Sequence, residues 1–170
     1  MRPGVRLGVD VGSVRIGVAA SDPEGRLALP VETIPRSPTP SAPTQPPDDA
    51  RRIGALVAER GAVEVVVGLP VSLRGTSGPA VDAVLDYARR LAAVVRPVPV
   101  RVVDERFTTV AADRRLQGVG VRGRVRRQVV DQLAAAVLLQ DTLDRERATG
   151  RPPGRLITAD GDPDGEAGSS

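Results

Sequence analysis

Apolar and polar positions along this chain fall into short strand-like bursts first and helical stripes later. Residues 5–10 carry Val5, Leu7 and Val9 at alternate positions and end on Asp10. Val11-Gly12-Ser13-Val14 reads as a turn, 15–21 as the partner of a hairpin and 26–34 as a third strand. Proline, serine and threonine then dominate from Arg36 to Pro47, so 35–47 is expected to be a mobile insertion. Asp48 and Asp49 begin a helix in which Ile53, Leu56 and Val57 recur at helical spacing, and Gly61 stops it. Val63 to Val67, running into Gly68-Leu69-Pro70, predicts a strand covered on both faces. A helix over 79–95 follows, then a fifth strand over 98–103 that delivers Asp104 and Glu105. The pattern continues with a helix over 109–117, a basic glycine-rich loop and a long helix over 125–147. An opening meander followed by alternating helices and covered strands predicts an α/β domain built on a mixed sheet over 1–147. The remainder, 148–170, is expected to be a disordered tail.

Composition narrows the chemistry. With 170 residues and 41% apolar content, one domain with a substantial core is expected. Aromatic content is only 1%, so aliphatic side chains must build that core, and stacking of bases on aromatic platforms is disfavoured. The absence of cysteine excludes disulfides and thiolate chemistry, and the absence of histidine excludes imidazole bases and ligands. Any hydrolysis must therefore run on carboxylates and a metal ion. All 24 basic residues are arginine, and net charge is +3. Residues 148–170 hold two arginines against four acids, so residues 1–147 carry +5 (22 minus 17), which permits a nucleic-acid partner. No stretch approaches the roughly 20 apolar residues of a membrane span. The expectation is a protein of the cytoplasm without a membrane partner.

Three carboxylates from distant segments stand out. Asp10 ends the first strand, where open α/β sheets place their ligands, although a turn-forming aspartate would look the same. Asp104 and Glu105 end the fifth strand, and because neighbours on a strand point to opposite faces only one of them can join Asp10. Asp131 lies at or inside the apolar stripe formed by positions 130, 133, 134, 137 and 138, where an arginine or a metal must compensate it. If the strand ends converge under the last helix, such a cluster can hold two Mg²⁺ or Mn²⁺ ions about 4 Å apart for phosphodiester hydrolysis.

At these residues the chain resembles the YqgF/RuvX family, described as pre-16S rRNA nucleases and also as Holliday-junction resolvases. The resemblance rests on Gly8-Val9-Asp10-Val11-Gly12-Ser13 with Arg15-Ile16-Gly17-Val18-Ala19, on Val66-Val67-Gly68-Leu69-Pro70 with Gly75-Thr76, on Asp104-Glu105-Arg106-Phe107-Thr108-Thr109, and on Asp131-Gln132-Leu133-Ala134-Ala135-Ala136. It implies an RNase H-like fold, a five-stranded mixed sheet flanked by helices, and a metal-dependent endonuclease. It also implies Asp10, Glu105 and Asp131 as the catalytic, metal-binding acids, choosing Glu105 over Asp104 where spacing alone leaves both open. The cofactor expected is Mg²⁺ or Mn²⁺.

The substrate expected is RNA, a small-subunit rRNA precursor cut near its 5′ end, ahead of four-way DNA. A junction enzyme would favour a two-fold dimer, and the expectation here is a monomer or weak homodimer. A non-catalytic RNA-binding assembly factor is the reading from another class. Arg74, Arg106, Arg122, Arg124, Arg126 and Arg127 lie in or beside glycine-rich loops and are the candidates for phosphate contacts.

Overall fold

The computed structural model describes residues 2–38, 45–70, 78–105 and 123–159, with the side chains of 105 and 123–126 excepted. Among the described residues nine elements run in the order β1 (Val5–Val11), β2 (Arg15–Ser21), β3 (Ala28–Pro35), α1 (Asp48–Arg60), β4 (Ala62–Pro70), α2 (Pro79–Val95), β5 (Val100–Glu105), α3 (Gly123–Thr149) and β6 (Arg155–Ile157). The strands form one mixed sheet in the order β3-β2-β1-β4-β5-β6. β1, β4 and β5 are parallel, while β2, β3 and β6 pair antiparallel to their neighbours. Helix α1 stops at Gly61, whose φ of 59° closes the turn and whose N–H bonds back to Ala58.

Strand alternation divides the core into two unequal parts. Leu7, Val9, Ile16, Val18, Val65, Val67, Val100 and Val102 face α1 and α2, where Ile53, Leu56, Val84 and Leu91 complete the larger cluster. Ala19, Val66 and Val103 face the other way and meet Ala135, Leu138 and Leu139 of α3. In the second layer α3 lies very close to the sheet. A β-carbon on Gly8 would stand 2.8 Å from Leu139 Cβ and 2.9 Å from the Ala135 carbonyl oxygen. Glycine at this position is what allows the helix to rest on β1.

The mixed α/β architecture expected, a sheet flanked by helices, is the one observed, with β6 as an addition to the five expected strands. β6 comes from the stretch beyond 147 expected to lack structure. Ile157 is 3% exposed and pairs with Val100, while Leu156 and Arg155 pair with Arg101 and Val102. Three residues are too few to show a period, so the strand is visible only through its neighbour. The helix expected over 109–117 and residues 160–170 lie outside the described residues, as do 39–44 of the proline-rich insertion. Among the described residues no helix is long and apolar enough to cross a membrane.

Candidate active site at the carboxyl edge of the sheet

The carboxyl ends of β1, β4 and β5 lie side by side, and each delivers a motif to the same edge. Asp10 is half-buried near the end of β1 and pairs across the hairpin with Gly17. Directly opposed residues of an antiparallel pair share a face. A β-carbon built on Gly17 would collide with the backbone carbonyl of Asp131, so the face shared by Asp10 and Gly17 is the one that α3 covers. Asp131 is thereby seated one strand away from Asp10.

The same alternation sorts the two acids of β5. Val102 belongs to the α1/α2 side of the core and Val103 to the α3 side. Position 104 therefore shares its backbone parity with Val102, and position 105 with Val103, on the face of Asp10. Gly68 pairs with Val103, and Pro70 pairs with position 105. The Val9–Val67 pair puts Gly68 next to Asp10 in register, so a residue without a side chain separates Asp10 from β5. Two strand spacings divide β1 from β5, about 10 Å between backbones.

Asp131 has a counter-charge in the protein. Arg15 Nε donates to Asp131 Oδ2 at 2.6 Å, with the two side chains 29% and 22% exposed. The sequence demanded an arginine or a metal at this carboxylate, and the structure supplies the arginine. Thr33 anchors α3 next to it, its hydroxyl donating to the Gln128 carbonyl at 2.7 Å. From the other face Arg36 braces the turn after Asp10. Its Nη1 donates to the Gly12 carbonyl at 3.0 Å and its N–H to the Val14 carbonyl at 2.9 Å.

Arg36 is itself held from behind. Its guanidinium lies 4.9 Å from the Tyr87 ring centroid and 3.5 Å from Asp49 Oδ2. Asp49, 2% exposed, also accepts from the Ser37 N–H at 2.9 Å and the Tyr87 hydroxyl at 3.1 Å. Burial, and then the Asp49 charge, push the Tyr87 phenol well above its ordinary ionisation range, so it stays a donor at neutral pH.

Of the six arginines expected at phosphates, Arg127 is exposed on α3 one turn before Asp131. Arg124 and Arg126 belong to the first turns of α3, and Arg74, Arg106 and Arg122 lie outside the described residues. Among the described residues no group of three carboxylates is assembled to hold a metal ion. The side chain of Glu105 is not one of them. The fit of a cation therefore rests on the donor set itself: half-buried Asp10 and part-exposed Asp131 on one face, with position 105 of matching parity. All three are hard oxygen donors of the kind Mg²⁺ and Mn²⁺ take.

Sequence reasoning passed over Arg15 and Gly17 as individual site residues. Both stand in a motif whose local pattern reads as a strand, and their partner lies on a helix far along the chain.

Residues 4–145 match the sequence profile of the RuvX family, described as Holliday junction resolvase. A protein of Kineococcus radiotolerans provisionally named pre-16S rRNA nuclease is 54% identical over 157 residues, spanning 92% of this chain and 80% of that protein. One of Streptomyces coelicolor with the same provisional name is 52% identical, spanning 92% and 90%. A solved structure of Thermus thermophilus RuvC with a Holliday junction substrate aligns at 17% identity and a TM-score of 0.49, over 88% of this chain and 99% of that one.

Proposed function

This chain belongs to the RuvX family, and on that premise we propose that it is a metal-dependent endonuclease trimming precursor 16S rRNA near its 5′ end. The observation that supports the reading is the seating of α3 on β2, where Gly17, the partner of Asp10 across the hairpin, meets the Asp131 backbone. Asp10, Glu105 and Asp131 would hold the cation. When bound, Mg²⁺ or Mn²⁺ supplies a water acidic enough to attack at neutral pH and charge to stabilise the departing oxygen.

The chain's own residues prepare that site. Hydrogen bonds from Arg36 fix the turn that follows Asp10, and Arg15 holds the Asp131 carboxylate in position. Without histidine or cysteine, the protein has no imidazole or thiol to offer as a base or nucleophile, which supports a carboxylate and metal route. Arg127 on the exposed side of α3, with Arg74, Arg106, Arg122, Arg124 and Arg126, would carry the phosphate backbone. We place the protein in the cytoplasm, where its substrate is made, acting as a monomer or weak homodimer.

Relatives 50% or more identical carry the rRNA name, whereas the family description names the junction, and one experiment separates these. A precursor small-subunit rRNA fragment and a four-way DNA junction are each incubated with the protein in Mg²⁺ and in Mn²⁺, with Asp10→Asn as control. The expected result is cleavage of the RNA that Asp10→Asn abolishes while the folded state persists by circular dichroism. Symmetric cutting of the junction alone would move the protein to the resolvases. Cutting of neither substrate by the unmutated protein would leave an RNA-binding assembly factor.

A further inference from the structure

We propose that Arg15 is a further residue of this site, a phosphate-binding side chain that Asp131 holds in place. The inference rests on the nuclease reading above and deepens it, since it says which group on the protein grips the nucleic acid at the reacting centre.

The backbone of Arg15 is tied to the same turn that follows Asp10, because the Gly12 N–H donates to the Arg15 carbonyl at 2.9 Å. Arg15 pairs with Pro35, two residues before the Asp10–Gly17 pair, so its side chain shares the α3 face with Asp10 and Asp131. A guanidinium offers five N–H donors in a planar fork. Here Nε is spent on Asp131 Oδ2, and among the described residues no hydrogen bond takes up Nη1 or Nη2. The fork therefore presents two amino groups from a fixed position at the edge where three strand ends meet.

A bland reading makes the pair a simple structural bridge. Its exposure argues against that as its whole role: with 29% and 22% of the side chains in solvent, water screens the pair and it adds little to folding. What it does achieve is restraint, because a guanidinium already held at one nitrogen loses less freedom on gripping a second anion. The anion that matches paired N–H groups is a phosphodiester, through its two non-bridging oxygens. Those oxygens gain negative charge during in-line displacement, when fixed donors count most. Arg36 cannot take this part, since its guanidinium lies on the opposite face against Gly12, Asp49 and Tyr87.

The test compares the unmutated chain with Arg15→Gln and Arg15→Lys, using a fluorescein-labelled precursor rRNA fragment. Binding is followed by fluorescence anisotropy in EDTA over a salt series, and cleavage is followed in Mg²⁺. Arg15→Gln is expected to bind more weakly and to lower the slope of log K against log salt by about 0.7–0.9, the loss of one phosphate contact. Its kcat is expected to fall about 100-fold, the usual cost of one transition-state donor. Arg15→Lys keeps the charge, so it should keep the salt slope and cleave at an intermediate rate, and thermal unfolding checks that both variants fold.

An unchanged affinity and salt slope in Arg15→Gln, with cleavage lost, would overturn the proposal and leave Arg15 a positioning residue acting through Asp131. Absence of any binding by the unmutated chain in EDTA would overturn it as well. Cleavage of nothing by the unmutated chain would instead defeat the nuclease reading, and the EDTA series would still decide the phosphate contact.

Discussion

A hydrogen in place of a methyl group at position 17 decides where α3 can lie. The Asp131 carbonyl occupies the space a β-carbon would need, and both partners are backbone, so neither can yield by changing rotamer. Gly17→Ala is expected to lift the helix and destabilise the fold by about 1–3 kcal/mol, the usual cost of overpacking. Urea unfolding measures the loss, and cleavage should fall with it because Asp131 moves. Neither Gly17 nor Arg15 carries a local sign of this role. A glycine in a strand and an arginine at its start acquire meaning from a helix that the chain reaches only much later. Position 105 was also open, since Asp104 and Glu105 stand equally near the strand end. The packing of Val103 against α3 settles which parity faces Asp10.

At the scale of elements, two helical layers serve different purposes. α2 was readable as 79–95 directly from its apolar spacing and forms over those residues, because Val81, Val84, Ala88, Leu91 and Val95 make one continuous stripe. α3 runs antiparallel to β1: Asp131 lies by Gly17, Leu139 by Gly8, and Glu146 by Arg6. It brings a functional end to one edge of the sheet and a buried end to the other. The turn between β1 and β2 depends on an element that hydropathy does not mark as a contributor. Arg36, at the mouth of the proline-rich insertion, binds that turn and meets the buried Asp49 carboxylate. Arg36→Ala is expected to cost about 1.5–3 kcal/mol in urea unfolding, as for a hydrogen bond to a charged group, and to raise KM by loosening the turn. Loss of stability without any kinetic change would limit Arg36 to the insertion.

The whole molecule is closed at the opposite edge by a buried ion network. Arg2 Nε donates to Glu146 Oε1 at 2.7 Å and Arg2 Nη1 to Glu64 Oε2 at 3.1 Å, while Arg6 and Arg101 approach the same two carboxylates. Arg6, Glu64 and Glu146 are 1–3% exposed, so removing one partner leaves a charge that water cannot reach. Glu146→Ala is expected to cost about 3–5 kcal/mol. The Arg2 hydrogen bond, against the opposing effect of burial, holds the Glu146 carboxyl below its ordinary 4.5. A depressed acid contributes stability above its unfolded value that is lost as pH falls through the folded one. Stability of the unmutated chain should therefore decline below about pH 4.5, and Glu146→Gln should flatten that decline in urea titrations at graded pH. Along the chain, local apolar patterning determined the strands β1, β2, β4 and β5 and the helices α1, α2 and α3, because burial of a face is written locally, as a continuous run or at a spacing of two or 3.6 residues. Tertiary structure alone decided that Asp131 pairs with Arg15, that Val103 packs on the α3 side of the sheet, and that Arg155–Ile157 completes the sheet. Those outcomes depend on which distant segments pack together, and no local period encodes a partner.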